Sequence, residues 1–158
     1  MGTPEFAVES LQSLLEAKKN IVGVITAPDK PSGRGKKIQF SPVKQFAEKH
    51  HLNLLQPDNL KDTEFVNRLA ALKPDLNVVV AFRMLPEVVW SLPVHGTINL
   101  HASLLPQYRG AAPINWAIIN GEKQTGVTTF LIDHQIDTGK ILLQEKVAVG
   151  DRENAGEL

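Results

Sequence analysis

The chain has no cysteine. That excludes disulfides, thiolate catalysis and cysteine-ligated zinc or iron–sulfur centres, and it fits a reducing cytoplasm. It also lacks an excess of charge of either sign. In 158 residues, 17 Lys and Arg offset 17 Asp and Glu, so attraction to nucleic acid or to a membrane has to come from local patches. No apolar run approaches the roughly 18 residues that cross a bilayer, and the opening "MGTPEFAVES" has no basic region of a secretory signal. No membrane partner is expected. Familiar nucleotide and hydrolase signatures are missing too. "SGRGKK" is not a Walker phosphate loop, no G-x-G-x-x-G dinucleotide turn occurs, and no G-x-S-x-G elbow holds a serine nucleophile. The five histidines have no metal-ligand spacing, so no metal is expected.

What is present is an alternation. Apolar residues make up 42% of the chain, enough for one domain with a real core. Periodicity and punctuation predict helices over 6–17, 41–51, 62–73, 85–92 and 112–123. Ser41 is the expected cap of the second, with Pro42 at its first position. In the last, Pro113 lies inside the start and Gly121 past the end. Strands are expected over 21–27, 52–56, 75–82, 96–102, 125–132 and 140–149, with a Pro- and Gly-marked loop over 28–37. Strands alternating with helices imply an α/β fold: a doubly wound, mostly parallel, Rossmann-like sheet with helices on both faces. The final two strands are too close in sequence for a crossover and should pair antiparallel. "MGTP" reads as a turn running straight into a helix, and 150–158 as the start of another helix. A first strand is therefore expected before Met1, and more chain beyond Leu158.

The stretch "INLHASLLPQYRGAAPINWA" carries the candidate chemistry. Asn99 and His101 alternate on a strand, so they share a face. In an open α/β sheet the carboxyl ends of strands border the ligand crevice. An amide donor beside an imidazole suits an oxyanion developing on a carbonyl carbon. Alone, Asn-x-His is more often a turn residue and a backbone-satisfied histidine. The rigid apolar loop that follows shifts the balance. Leu104 and Leu105 are unfavourable in a surface loop unless they line a pocket or pack on another loop, and Pro106 holds them, with Ser103 placed to bond the loop's backbone. Asp133 and Asp137 lie in the polar loop 133–139. Asp137, before Thr138 and Gly139, is set in a tight turn. Near His101 it would orient the ring and favour its charged form; equally, it could bond its own turn backbone.

"NLHASLLPQYRGAAPI" with "IDTG" downstream resembles the formyltransferase family that uses 10-formyltetrahydrofolate. "MGTPEFAVESL", "TAPDKPSGRGKK", "SPVKQFA" and "LQPDNLKD" are similar to the branch that acts on initiator methionyl-tRNA. The resemblance covers nearly the whole chain. It implies residues 1–158 as the family's catalytic domain, truncated at both ends, with the first strand and a carboxyl-terminal β-barrel absent. It implies a one-carbon transferase of translation initiation in the cytoplasm, working as a monomer. The catalytic set it implies is Asn99, His101 and Asp137. Folate contacts fall on Ser103, Leu104, Leu105 and Pro106, and on Phe82, Met84 and Leu85, where Phe82 and Arg83 depart from the commonest Tyr-Gly pattern. Lys30, Arg34, Lys36 and Lys37 fall on the loop that meets tRNA in that branch. The rivals are a formyltransferase of sugar-nucleotide amines, a hydrolase of the same folate, a nucleotide-binding domain without catalysis, and a purely structural domain.

Overall fold

The structure is a computed structural model that describes residues 1–32 and 37–158. The chain packs as two compact units, Met1–Gly96 and Thr97–Leu158.

In the first unit the helices are α1 (Glu5–Glu16), α2 (Pro42–Lys49), α3 (Thr63–Ala71) and α4 (Glu87–Trp90). The strands are β1 (Val24–Ile25), β2 (Lys30–Ser32), β3 (Lys37–Gln39), β4 (Leu54–Leu55) and β5 (Asn77–Val80). The helix starts follow side-chain chemistry. The Ser41 hydroxyl accepts the Lys44 N–H at 3.0 Å ahead of Pro42, and the Asp62 carboxylate accepts the Glu64 N–H at 3.4 Å. β1 pairs parallel with β4, Val24 opposite Leu54 and Ile25 opposite Leu55. The buried side chains include Val8, Val24, Ile25, Val43, Phe65, Leu69, Val79, Val80 and Val89. A cavity of about 430 Å³ is lined by residues of β1 and β5, with Met1, Leu14 and Leu72.

Two expectations fail here. "MGTP" is not simply a turn. Gly2 bridges Val80 in parallel register, the Gly2 N–H donates to the Ile25 carbonyl at 3.0 Å, and the Val80 N–H donates to the Met1 carbonyl at 2.9 Å. Two residues carry too little periodicity to read as a strand, but their backbone groups pair as one. Gly2 is required by close approach: a Cβ there would lie 2.5 Å from the Ala7 Cβ and 2.7 Å from the Val80 carbonyl oxygen. The predicted loop 28–37 is instead bordered by a hairpin. β2 pairs antiparallel with β3, Lys30 opposite Gln39 and Pro31 opposite Ile38. A two-stranded ribbon pairs through its backbone, so its side chains need not alternate, and Pro31 is tolerated on an edge.

The second unit holds β6 (Thr97–His101), α5 (Pro113–Ile119), β7 (Gln124–Leu131) and β8 (Ile141–Ala148). β7 and β8 pair antiparallel as expected, with Val127 opposite Glu145. β6 joins β7 antiparallel as well, placing Asn99 opposite Phe130 and His101 opposite Thr128. Pro113 opens α5 and Gly121 follows it at φ 67°. Among the described residues, antiparallel pairing is confined to this unit and to the β2–β3 hairpin. The α/β class read from the alternation is the fold's. The helix expected over 150–158 does not form. The Gly150 N–H is taken by the Glu153 carboxylate at 2.8 Å, the Asn154 N–H by Glu157 at 2.9 Å and the Gly156 N–H by the Asn154 side chain at 2.9 Å. These local bonds give the backbone partners in turns instead of in a helix.

Candidate active site

β6 ends on the two residues singled out, Asn99 and His101. They sit two apart on one strand and therefore on one face. His101 is buried, 7% exposed. Its Nε2 lies 2.8 Å from the Tyr108 carbonyl oxygen. Its Nδ1 lies 3.8 Å from Oδ2 of Asp137. The imidazole thus has a backbone acceptor on one side and a carboxylate on the other.

Asp137 is held from outside its own turn. Its Oδ2 accepts the Gly110 N–H at 2.8 Å, and its carbonyl accepts the Arg109 Nε–H at 2.9 Å. Its backbone is left-handed, φ 53°. Tyr108 and Ala112 are left-handed too, at 55° and 54°. Each such non-glycine residue costs about 1 kcal/mol or more. Gly139 makes the turn possible, because a Cβ there would run into the Leu131 carbonyl. Asp133 serves the turn itself, accepting from the Gln135 N–H at 2.9 Å and the Thr138 hydroxyl at 3.1 Å.

The loop over 103–108 is stapled. Ser103, wholly buried, donates its hydroxyl to the Gln107 carbonyl at 2.6 Å, the backbone bond expected of it. The Thr128 hydroxyl donates to the Ser103 carbonyl at 2.6 Å and accepts the Leu105 N–H at 3.0 Å. The Gln144 amide donates to the Leu105 carbonyl and to Thr128 Oγ1, each at 2.9 Å. Leu105 is buried at 5%; Leu104 is half-buried and packs over Gly126, where a Cβ would lie 2.6 Å from its Cδ2. Packing thus explains a leucine pair in a loop. Pro106 follows Leu105 through a cis peptide bond.

The other candidate residues belong to the first unit. Leu85 is buried, Phe82 half-buried and Met84 74% exposed. The Arg83 guanidinium donates to the Asp58 carbonyl at 2.8 Å and to that of Pro57, and lies 5.5 Å from the centre of the Phe82 ring. It ties this segment to the 57–58 turn. Lys30 opens β2 and is exposed. Arg34 and Lys36 lie outside the described residues, and of Lys37 the backbone alone is described. Among the described residues no three His, Asp or Glu side chains gather as a metal site, and no helix is long and apolar enough to cross a membrane.

A buried, doubly oriented imidazole behind a rigid loop is the setting in which the chain meets its relatives. The family profile described as Formyl transferase matches residues 1–158. The chain belongs to the formyl transferase family. Among curated relatives, methionyl-tRNA formyltransferase of Bacteroides fragilis is 64% identical over 154 residues, covering 98% of this chain and 48% of that protein. The enzyme of that name from Flavobacterium johnsoniae is 61% identical over 158 residues, covering 100% and 50%. This chain spans about half the length of the curated relatives it matches. Among solved structures, phosphoribosylglycinamide formyltransferase from Bacillus halodurans has a TM-score of 0.77 at 23% identity, covering 98% of this chain and 81% of that one. A formyltetrahydrofolate deformylase from Pseudomonas syringae pv. tomato has a TM-score of 0.73 at 23% identity, covering 99% and 52%. The doubly wound formyltransferase fold is thus the fold of this chain.

Sequence reasoning missed Tyr108, Thr128 and Gln144. Tyr108 acts through its backbone carbonyl, and no side-chain pattern reports that. Thr128 could have been suspected, since a polar residue on an otherwise buried strand needs a partner.

Proposed function

We propose that this chain carries the centre that moves a formyl group from 10-formyltetrahydrofolate to the α-amine of initiator methionyl-tRNA. The product would serve translation initiation in the cytoplasm, and the protein would act as a monomer. The supporting observation is the setting of His101 between the Tyr108 carbonyl and the Asp137 carboxylate. The relatives named as methionyl-tRNA formyltransferases supply the acceptor. The folate is a substrate here, since its formyl carbon leaves with the product.

Asn99 and His101 direct donors at the formyl oxygen as the amine attacks the formyl carbon and the C=O electron pair moves to oxygen. At 3.8 Å the Asp137 carboxylate is too far for a hydrogen bond to Nδ1, and it faces that side of the ring. A proton on Nδ1 can then face the oxyanion. As the oxygen re-forms its double bond, the bond from the formyl carbon to N10 breaks. N10 gains one proton and the amine loses one, so one proton carrier balances the step. No metal and no covalent enzyme intermediate enters. Ser103, Leu104, Leu105 and Pro106 would wall the folate, with Phe82, Met84 and Leu85 as the second contact. Lys30, Arg34, Lys36 and Lys37 would meet tRNA phosphates.

The test is a formylation assay with the full-length protein, 10-formyltetrahydrofolate and three acceptors: methionyl-tRNA, an amino-sugar nucleotide and water. Formylmethionyl-tRNA is the expected product. Equal formate release with and without acceptor supports a hydrolase instead. His101→Ala should lower transfer by about a hundredfold or more. Arg34→Ala should weaken use of methionyl-tRNA and leave folate binding unchanged; equal use by the two proteins across a salt series removes the basic loop from the reading.

A further inference from the structure

Tyr108 is bound at both ends. Its carbonyl meets His101 Nε2 at 2.8 Å. Its hydroxyl donates to Oε1 of Glu122 and accepts from the Asn120 amide at 2.9 Å. Asn120 caps α5, and Glu122 follows Gly121 just beyond it. The Glu122 carboxylate, by accepting this hydrogen bond, raises the phenol above its ordinary pKa and keeps the donor protonated. Between the two ends stands a left-handed backbone, φ 55°. That conformation is uncommon for a residue other than glycine and is held here by bonds at both ends.

A carbonyl only accepts, so the Nε2 facing Tyr108 carries a hydrogen in both charge states of the ring. The other nitrogen, Nδ1, is the one 3.8 Å from Asp137. It alone is left to take up and release a proton. We propose that Tyr108, anchored through its hydroxyl by Glu122 and Asn120, is a positioning residue that fixes which nitrogen of His101 works. The tyrosine touches no reacting atom. It holds a strained turn, and the turn's carbonyl holds the ring. This inference rests on His101 being the proton carrier of the proposed reaction.

The anchor and the reaction can be tested apart. In the full-length protein, long-range ¹H–¹⁵N spectra read the two ring nitrogens of each histidine, and His101 is assigned by its loss in His101→Ala. At a pH where the ring is neutral, the wild type should show a protonated Nε2 and a bare Nδ1. Tyr108→Phe keeps the ring and deletes the hydroxyl; it should give a mixture of the two tautomers. It should also lower kcat, by up to about a hundredfold, with little change in KM for the folate, as misplacing a group does. Glu122→Gln keeps an acceptor oxygen and should stay near wild type. Glu122→Ala should copy Tyr108→Phe, and this pair decides the matter if Tyr108→Phe does not fold. A wild-type tautomer and wild-type kcat in folded Tyr108→Phe, or in folded Glu122→Ala, overturns the proposal. A tautomer that depends on Tyr108 in a protein that transfers no formyl group overturns the reaction and leaves the anchor standing.

Discussion

The two units of the chain are built differently. In the first, the buried side chains are mostly aliphatic or aromatic: Val8, Ile25, Val43, Phe65, Leu69, Val80 and Val89 among them. Its α2 and α3 begin at side-chain caps, Ser41 and Asp62. In the second, the buried set described includes Thr97, His101, Ser103, Thr125 and Thr128 beside Leu105, Ala117, Phe130 and Val149. There the loops are held by hydrogen bonds that Thr128, Gln144 and Ser103 donate and the Asp137 carboxylate accepts. Apolar burial stabilises without fixing direction. Hydrogen bonds fix direction, and a histidine that must aim one nitrogen needs that.

The largest effect that could break this contrast is in the first unit. Phe65, 5% exposed, lies on the buried face of α3. Phe65→Ala should destabilise the protein by about 3–5 kcal/mol through lost transfer energy and the cavity left behind. Formyl transfer per folded molecule should hold. Denaturant unfolding paired with an assay on the folded fraction measures both. A large loss of activity in a fully folded sample would mean that the first unit also sets the geometry of the reaction.

The next effect is smaller and lies in the second unit. Thr128→Val keeps the shape and removes the hydroxyl that serves the Ser103 carbonyl, the Leu105 N–H and the Gln144 amide. Buried polar groups left without a partner cost about 1–3 kcal/mol. Here activity should fall as well, because the loop leading to Tyr108 loses its staple. Thr128→Ser should restore both. If Thr128→Val loses stability alone, the hydroxyl belongs to the core and not to the geometry of the site.

The same contrast explains what could be read in advance. The helices announced themselves through apolar spacing and caps, since Ser41, Asp62, Pro113 and Gly121 each do local work. Asn99 and His101 were legible because alternation puts them on one face. Asp137 was legible as a candidate, but the groups that hold it were not. Its ligands Gly110 and Arg109 are 27 and 28 residues away, and a local window holds no such information. Tyr108 was invisible for a different reason: the atom that matters is its carbonyl, which every residue has. Glu157 and Asn154 misled, because side chains that could begin a helix here satisfy a turn backbone. The pairing of Met1 and Gly2 is carried by backbone atoms alone.

The smallest expected effect tests the entrance to the basic hairpin, where the first unit departs from its own style. Lys44 is 8% exposed, unusual for a lysine. Its ammonium is paired with the Asp29 carboxylate and lies 4.0 Å from the centre of the Phe40 ring. The other Asp29 oxygen accepts from the Gln56 amide at 2.9 Å. Asp29 directly precedes Lys30, the first residue of β2, so the pair fixes where the ribbon begins. The hydrogen bond from Lys44, then that from Gln56, holds Asp29 below its ordinary 3.8. The same bond holds Lys44 above its ordinary 10.5. A carboxylate depressed on folding stabilises above its unfolded value and loses that contribution as pH falls through the folded one. An amine raised on folding stabilises below its unfolded value and loses it as pH rises through the folded one. The pair therefore stabilises across the neutral range and fades at both extremes. Asp29→Asn should lower the midpoint of thermal unfolding at pH 7, and the gap to wild type should close as pH drops below 3.8. A gap that stays constant from pH 7 to pH 3 would mean that the Asp29 contribution is geometric and not ionic. Formyl transfer to methionyl-tRNA by Asp29→Asn, compared with its folate binding, then reports whether the ribbon's exit matters to the RNA side alone.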